Sequence, residues 1–349
     1  MRIAQVMGSA ALGGAEAFYE RLVPALAAAG DTVLAVTRRD AGRTARLRAA
    51  GIEPVELPFR NQLDFVTGRR LAVALDAFRP DVVMSWMNRA SGYAGGARRR
   101  PGVGWTLVGR LGGYYDLKHY RACDHLAGNT HGLRDWMIGQ GWPAERTHHL
   151  PNFAADLAGA APAALPAPPG APRLLALGRL HANKGFDVLL RALALLPGAH
   201  LSIGGEGPER EALQRLAGEL GVAERVSFLG WRADAGALLA ACDLFVCPSR
   251  HEPLGNVVLE AWSAARPVIA AAAQGPVELI VDGVTGLLVP REAPAPLAAA
   301  IAGLLADRGR AAALAAAGRA EFERAHAERP VIARWREFLR AVAPMPVTA

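Results

Sequence analysis

Two carboxylates and a glycine turn stand close together in the second half of the sequence. Glu252 and Glu260 enclose the residues PLGNVVL, which follow the strand-like run DLFVCPSR and open a helix-like run. A helix that begins at such a turn aims backbone N–H groups at an anion and leaves the carboxylates for hydroxyl groups. If both glutamates were helical they would lie about 12 Å apart, far beyond the roughly 5 Å of a retaining glycosidase pair. The spacing therefore favours contacts with two ends of one long ligand.

Two cations stand at an earlier turn. The sequence GRLHANKG runs from Gly178 to Gly185 after the strand-like RLLALG, and it contains Arg179 and Lys184. Arginine offers a planar fork and lysine a point charge, so the two suit a diphosphate whose charge grows as it leaves. A solvated turn that binds nothing is the alternative interpretation.

Further glycine turns follow other strand-like runs. Gly205 belongs to the turn GGEGP, and FLGW ends at Trp231. Counted from Gly205, the third glycine of a dinucleotide fingerprint is replaced by Arg210, which disfavours nicotinamide chemistry. Gly13 and Gly14 follow the first strand-like run, where small residues let a phosphate or sugar approach the main chain. Both halves of the chain therefore offer glycine turns to a ligand in a common cleft.

The elements that position these turns alternate between strands and helices. RIAQVM, AEAFYERLVPALAAAG and TVLAVT open one series, and RLLALG, FDVLLRALALLP and HLSIGG open a second. Such alternation indicates parallel strands with crossover helices, whose ligands bind at the carboxyl ends of the strands. We predict an α/β fold of two doubly wound parallel-sheet domains: a first domain over residues 1–153, a Pro/Ala-rich linker over 154–172, a second domain over 173–328, and a helix over 329–349 that packs back on the first domain.

Composition narrows the function. A chain of 349 residues is long enough for two hydrophobic cores. Residues 1–150 hold 20 Lys and Arg against 13 Asp and Glu, whereas residues 151–349 hold 19 against 19, so the whole excess of +7 lies in the first half. That asymmetry suits an anionic membrane surface or an acidic acceptor; nucleic acid is disfavoured because no recognised reader motif accompanies the arginines. Three cysteines without metal spacing indicate a reducing compartment, and no apolar run approaches the length of a membrane span.

Taken in order, Gly13 and Gly14, the cationic turn, the FLG turn and the two glutamates resemble the retaining nucleotide-sugar glycosyltransferases of family 4. The resemblance covers nearly the whole chain and implies the GT-B fold, two Rossmann-like domains facing a cleft. It implies that the first domain binds the acceptor and the second the nucleotide sugar. It implies that Arg179 and Lys184 bind the donor diphosphate, Glu252 the hydroxyls of the transferred sugar, and Glu260 the ribose. The remaining donor-binding candidates are glycines and main-chain groups around the base, the distal phosphate and the sugar: Gly13, Gly14, Gly205, Trp231, Arg232, Gly255, Asn256 and Val257.

The resemblance also implies how the reaction proceeds. Fixed cations and helix N-termini stabilise the leaving diphosphate, and the acceptor hydroxyl attacks from the same face, so no metal and no bound cofactor are expected. Many family members carry a histidine on a first-domain loop beside the reacting sugar. In this sequence the loops that could match hold Asn88 and Arg110 instead, and we expect one of them to replace it.

We therefore expect a cytoplasmic, retaining hexosyltransferase, peripheral on the inner face of the membrane. Its partners are a nucleotide-sugar donor of the UDP or GDP type, a lipid-linked or polysaccharide acceptor, and an anionic membrane surface. The stretch RLGGYYDLKHYRACDHLAGNT resembles first-domain segments of lipopolysaccharide and envelope glycosyltransferases, which places the enzyme in lipopolysaccharide or other cell-envelope glycan biosynthesis. Two alternatives remain, a nucleotide-sugar epimerase of the same fold and a nucleotide-sugar-binding scaffold that has lost turnover.

Overall fold

The computed structural model describes residues 1–9, 13–60, 64–98, 100 and 104–344. The chain divides into two compact units. Unit 1 comprises Met1–Asn152 together with Glu328–Ala349, and unit 2 comprises Phe153–Ala327. The residues that link the first strand to Gly13, numbers 10–12, lie outside the described part.

Unit 1 is built on a seven-stranded sheet in which every strand runs parallel to its neighbours, in the order β3-β2-β1-β4-β5-β6-β7. The strand order changes direction between β1 and β4. The strands are β1 (Arg2–Met7), β2 (Thr32–Arg38), β3 (Val55–Leu57), β4 (Val82–Trp86), β5 (Thr106–Leu111), β6 (His125–Gly128) and β7 (Thr147–His149). The helices that connect them are α1 (Gly14–Ala28), α2 (Ala41–Ala49), α3 (Phe65–Phe78), α4 (Met87–Arg98) and α5 (His131–Gly139).

Unit 2 repeats this arrangement with six parallel strands in the order β10-β9-β8-β11-β12-β13, and its order changes direction between β8 and β11. The strands are β8 (Arg173–Leu177), β9 (His200–Gly204), β10 (Val226–Gly230), β11 (Leu244–Cys247), β12 (Val268–Ala271) and β13 (Leu287–Val289). The helices are α6 (Phe186–Ala194), α7 (Arg210–Glu219), α8 (Ala235–Ala241), α9 (Asn256–Ser263), α10 (Gln274–Leu279), α11 (Pro294–Ala306) and α12 (Arg308–Glu321). The predicted α/β class with doubly wound parallel sheets is confirmed in each unit.

Apolar runs explain why these segments form central strands. β4 and β11 are buried along their whole length, as strands covered by helices on both faces must be. Side-chain caps fix several helix starts: Asp40 accepts a hydrogen bond from the Arg43 N–H at the start of α2, and Asp64 accepts one from Thr67 at the start of α3. These caps fix where α2 and α3 begin after the carboxyl ends of β2 and β3.

The last helix, α13 (Glu328–Val342), belongs to unit 1 although it follows unit 2 in the chain. Trp335 is fully buried, and its Nε1 donates a hydrogen bond of 3.0 Å to the Pro151 carbonyl. Its ring stacks on Trp86 with the ring centroids 6.4 Å apart. At the next residue, Arg336 Nε lies 2.9 Å from Asp31 Oδ2. These contacts hold α13 in the core of unit 1.

The Pro/Ala-rich stretch between residues 154 and 172 has no helix or strand, but it packs on unit 2 and belongs to it. The Ala163 N–H donates a 2.9 Å hydrogen bond to the Ala237 carbonyl at α8. Arg319 of α12 forms an ion pair with Asp156 at 2.5 Å. Within the described residues, no helix has both the length and the apolar composition needed to cross a membrane.

Candidate active site

Three glycine turns pack main chain against main chain at the carboxyl ends of β8, β9 and β10. The Gly178 N–H donates to the Gly204 carbonyl at 3.0 Å, and the Gly205 N–H donates to the Gly230 carbonyl at 2.7 Å. Gly205 has a φ of 145°, and a Cβ atom there would lie 1.9 Å from the Gly178 carbonyl oxygen. Only glycine fits this position. Its predicted place in the donor site stays a prediction, because the packing alone already explains the residue type.

The cationic turn after β8 meets the turn after β11. The short 3-10 helix Ala182–Lys184 ends at Gly185, which has a φ of 63° and whose Cβ, if present, would lie 2.2 Å from the Pro248 carbonyl oxygen. This close approach brings Lys184 Nζ to 2.5 Å from Glu252 Oε2. Two residues that the sequence singled out separately, 68 positions apart, thus form one charge pair.

Ser249 completes this group, since its hydroxyl donates to Glu252 Oε2 at 3.3 Å. The Glu252 residue is 8% exposed, and 24% of the Lys184 side chain remains accessible. The Glu252 carboxylate and the Lys184 ammonium group are therefore held together near the protein surface. A polyanionic ligand could there displace the carboxylate from Lys184.

Arg250 is a residue that sequence reasoning missed. Its guanidinium binds both oxygens of Asp187, at 2.6 and 2.7 Å, and contacts Glu292 Oε1 at 3.0 Å. It also donates to the Ala182 carbonyl at 2.9 Å, and the Arg250 N–H donates to the Asn183 carbonyl at 2.8 Å. Bidentate arginine pairs are among the stronger protein hydrogen bonds. Arg250 therefore ties the two turns together and positions Lys184 relative to Glu252.

Helix α9 begins directly behind this pair. Gly255 has a φ of 92°, and the first N–H of the helix that bonds back into the turn is that of Val258, to the Gly255 carbonyl at 2.8 Å. Asn256 and Val257 therefore occupy the first turn, where backbone N–H groups point out of the helix end. Glu260 lies one turn further along α9 and is partly buried.

The start of α10 supports this loop. The Gly275 N–H donates to the Glu252 carbonyl at 2.7 Å, which fixes the backbone on which the Glu252 carboxylate stands. A Cβ at Gly275 would lie 2.2 Å from the Leu254 main chain, so a larger residue would displace the loop. Gly275 thus has a positioning role beside the candidate site.

The remaining predicted donor contacts lie around the same sheet edge. Arg179 is exposed and makes no hydrogen bond or ion pair through its side chain within the described part of unit 2, so its charge is available to a ligand. Trp231 is 71% exposed after β10. The Arg232 side chain pairs with Asp234 at 2.5 Å, which leaves only its main chain for the predicted contact with a base.

The arrangement follows the topology of the sheet. β8 and β11 are neighbours at the point where the strand order changes direction, and open α/β sheets bind ligands outside the carboxyl ends of the strands at this point. The turn after β8 supplies Arg179 and Lys184, and the turn after β11 supplies Glu252 and the start of α9. Two cations and a helix N-terminus suit a diphosphate, and a carboxylate suits hydroxyl groups. Among the residues described, no group of three or more His, Cys, Asp and Glu side chains is placed to hold a metal ion.

In unit 1, Arg110 is buried, and its predicted catalytic role stays a prediction. This residue is 3% exposed, and its guanidinium donates to the Leu111, Ala127 and Leu150 carbonyls and to Asn152 Oδ1. It also lies against the rings of Trp86 and Trp335, at 5.9 and 5.5 Å. Burial lowers the pKa of Arg110 to about 9. All of these contacts lie within unit 1, and the one with Trp335 links Arg110 to α13.

The other unit 1 candidates lie at the carboxyl edge of its sheet. Gly13 is the N-cap of α1 and Gly14 its first residue. Asn88 is the second residue of α4, directly after β4, and it lines a cavity. Which of Asn88 and Arg110 takes the family's histidine position stays a prediction. The two histidines of β7 are partly buried: burial lowers the pKa of His148 to about 4 and that of His149 to about 3, which keeps both neutral.

Comparisons with known proteins cover both units. Residues 12–155 match the family model described as Glycosyltransferase Family 4, and residues 171–307 match the one described as Glycosyl transferases group 1. The chain is 37% identical over 301 residues to the lipopolysaccharide core biosynthesis glycosyltransferase LpsE of Rhizobium meliloti, which covers 84% of this chain and 86% of that protein. It is also 42% identical over 161 residues to the GDP-mannose-dependent alpha-(1-6)-phosphatidylinositol monomannoside mannosyltransferase of Mycolicibacterium smegmatis, which covers 42% of each chain.

Among solved structures, HepE from Anabaena in complex with UDP superposes with a TM-score of 0.85 at 22% identity, over 98% of this chain and 100% of that one. At this identity the likeness concerns the fold. It confirms the GT-B fold that the sequence predicted.

Proposed function

Because this chain belongs to the family 4, group 1 glycosyltransferases, we propose that it is a retaining enzyme that moves a sugar from a nucleotide-sugar donor to an acceptor of the lipopolysaccharide core. The observation that carries the proposal is the pair of Lys184 Nζ and Glu252 Oε2 at 2.5 Å, beside the N-terminus of α9. The ammonium group of Lys184 suits the departing phosphate, and the carboxylate of Glu252 suits the sugar hydroxyls. Both stand where the strand order of unit 2 changes direction.

In the proposed reaction the bond between the anomeric carbon and the distal phosphate breaks, and the diphosphate leaves with its electron pair. Lys184 and Arg179 receive the growing negative charge together with the first-turn N–H groups of α9, so these cations take the place of a metal ion. The sugar becomes oxocarbenium-like. The acceptor hydroxyl attacks from the face that the diphosphate left and gives its proton to the departing phosphate oxygen. Glu252 accepts hydrogen bonds from the hydroxyls of the transferred sugar once the phosphate has taken its place on Lys184.

The donor and acceptor classes rest on relatives. HepE binds UDP and the mycobacterial mannosyltransferase depends on GDP-mannose, so we propose a UDP- or GDP-linked hexose as donor. LpsE acts in lipopolysaccharide core biosynthesis, which suggests a glycan or lipid-linked acceptor of that class here. The similarity to LpsE spans both units and favours transfer over the alternative of a nucleotide-sugar epimerase.

A thermal-shift screen with UDP, GDP, ADP, CMP and their sugar conjugates tests the donor site. We expect one nucleotide to raise the melting temperature selectively, and the shift to disappear in Arg179→Ala and in Glu260→Ala, since these residues are assigned to the diphosphate and the ribose. Arg191→Ala is the matched control, because Arg191 is exposed on α6 and outside the candidate site. A shift that persists in both site variants would show that the nucleotide binds elsewhere.

We also propose that unit 1 docks on an anionic membrane through α3. Phe65, Val66 and Val73 are 80%, 54% and 61% exposed, although they are large apolar side chains on one short helix. Arg69 and Arg70 lie between them, exposed and outside any ion pair within the described residues. Phe65, Arg69 and Val73 are spaced by four residues and so share one face of the helix. Exposed apolar side chains interleaved with arginines suit the interface of a bilayer that contains anionic lipids.

Sedimentation with vesicles tests this surface. We expect the protein to bind vesicles of phosphatidylglycerol and phosphatidylethanolamine in a salt-sensitive way, and Phe65→Ser/Val73→Ser to lower the partition coefficient roughly tenfold. The control Leu195→Ser/Val281→Ser removes side chains that are 57% and 59% exposed in unit 2 and should leave binding unchanged. Equal binding to neutral phosphatidylcholine vesicles, or equal loss in both double variants, would contradict an α3 docking surface.

A further inference from the structure

Unit 1 contains a cavity of 370 Å³ that the donor site does not use. Its walls come from residues at or just after the carboxyl ends of β1, β2, β4 and β5, among them Gly8, Arg38, Asn88, Arg89 and Tyr115. β1 and β4 are neighbours at the point where the strand order of unit 1 changes direction. This is the position at which an open parallel sheet binds ligands, and it corresponds in topology to the donor site of unit 2.

The backbone around the cavity is built for close approach. Met87, between β4 and the body of α4, has a φ of 61°, which a residue with a side chain rarely adopts. A Cβ on Gly8 would lie 3.1 Å from the Ala90 nitrogen, so the end of β1 passes directly under the first turn of α4. Strained backbone of this kind concentrates at ligand sites. It directs Asn88 and the start of α4 to the cavity.

The polar groups of the cavity are unbalanced in charge. Arg38 is partly buried, yet its side chain makes no hydrogen bond or ion pair within the described residues. Arg89 donates to the Phe59 carbonyl at 2.9 Å and has no carboxylate partner in the same part of the chain. Asn88 Oδ1 is buried and accepts no hydrogen bond there. A cavity that has two guanidinium groups, no paired carboxylate and an unmet amide acceptor suits a ligand that carries both a negative charge and hydroxyl groups.

We propose that this cavity binds the acceptor through an anionic substituent, a phosphate or carboxylate on the acceptor sugar, which Arg38 recognises while Asn88 accepts a hydrogen bond from a neighbouring hydroxyl. The inference rests on the proposed function, since it identifies the second substrate of that reaction. It narrows the acceptor from any glycan to a charged one. Arg38 is then a specificity residue that acts on acceptor binding and leaves donor binding unchanged.

The test compares glucose, glucose 6-phosphate and glucuronate as probes, with dissociation constants measured on the full chain by saturation-transfer NMR. We expect one or both anionic probes to bind at least tenfold more tightly than glucose. The probe that binds shows whether the cavity recognises a phosphate or a carboxylate. Arg38→Gln should weaken that probe roughly 10- to 100-fold, because a charge-assisted hydrogen bond is lost. Arg38→Lys, which keeps the charge, should restore part of the affinity.

Two further variants locate the binding. Arg39→Gln removes the same charge from the adjacent, exposed residue and should leave the probe affinity unchanged. Lys184→Ala should also leave the probe affinity unchanged. If probe binding were lost in Lys184→Ala and kept in Arg38→Gln, the probe would bind in unit 2 and the proposal would be overturned. Equal affinity for glucose and the anionic probes would overturn it as well. Nucleotide binding is measured on the same samples: if it is normal while Arg38→Gln has no effect, this inference fails and the proposed function stands.

Discussion

Replacing Lys184 by alanine is expected to lower kcat/KM for the donor about 100-fold, which corresponds to about 2.7 kcal/mol of transition-state stabilisation. Lys184 is the cation that Gly185 and Arg250 hold beside Glu252, so its charge is preorganised for the leaving diphosphate. The loss should appear in kcat as well as in the affinity for the free nucleotide diphosphate. Initial rates of transfer over a range of donor concentrations, with nucleotide affinity from calorimetry, measure both.

The matched control for this variant is Arg215→Ala. Arg215 is an exposed cation on α7 whose side chain is 69% accessible, and its removal changes the charge of unit 2 by the same amount. Unchanged kinetics in Lys184→Ala, or an equal loss in Arg215→Ala, would contradict the assignment of Lys184 to the diphosphate. Melting curves of both variants establish that each one is folded.

Glu252→Gln is expected to affect the reaction of the nucleotide sugar and the binding of the free nucleotide diphosphate differently. The amide keeps the size of the side chain but removes its charge, so the hydrogen bonds to the sugar hydroxyls weaken and kcat/KM for the donor should fall about 30- to 100-fold. Lys184 at the same time loses the counter-ion that lies 2.5 Å away. The affinity for the nucleotide diphosphate without sugar should therefore rise or stay constant, because the phosphate no longer competes with a carboxylate. A loss of kcat/KM for the donor without a loss of affinity for the free nucleotide diphosphate is specific to the proposed roles.

Glu224→Gln provides the control, since Glu224 is exposed in unit 2 and lies outside the candidate site. If Glu252→Gln weakened the free nucleotide as much as the nucleotide sugar, Glu252 would act through the folding of the loop and not through the sugar. Comparing the two ligands on the same variant decides between these roles.

Sequence reasoning selected the elements of the candidate site in unit 2 because they follow local rules. Strand-like runs that end in glycine turns placed Lys184 and Glu252 at carboxyl ends of parallel strands, and the fold brings those ends together at β8 and β11. The roles given to these residues stay predictions until ligands are measured. Arg250 could not be found in this way. Its partner Asp187 is 63 positions away, and nothing local distinguishes one arginine from the 37 in the chain.

The burial of Arg110 could not be predicted from the sequence. The residue lies in β5, and its guanidinium packs against the rings of Trp86 and Trp335. An arginine is seldom buried without a carboxylate partner, so its residue type gave no sign of burial. The acceptors that satisfy it, the Leu150 carbonyl and Asn152 Oδ1, lie 40 and 42 positions further along the chain and become visible only in the fold.

The measurement that tests the account most directly is transfer itself. The protein is incubated with radiolabelled UDP- and GDP-linked hexoses and with the truncated lipopolysaccharide of a Rhizobium meliloti strain from which LpsE has been deleted. The anomeric configuration of the product is determined by NMR. We predict label in the lipopolysaccharide, nucleotide diphosphate released in equal amount, and a glycosidic bond with the configuration of the donor. Isomers of the donor sugar formed without acceptor would instead indicate an epimerase, a product of opposite configuration would contradict retention, and donor binding without turnover would indicate a scaffold.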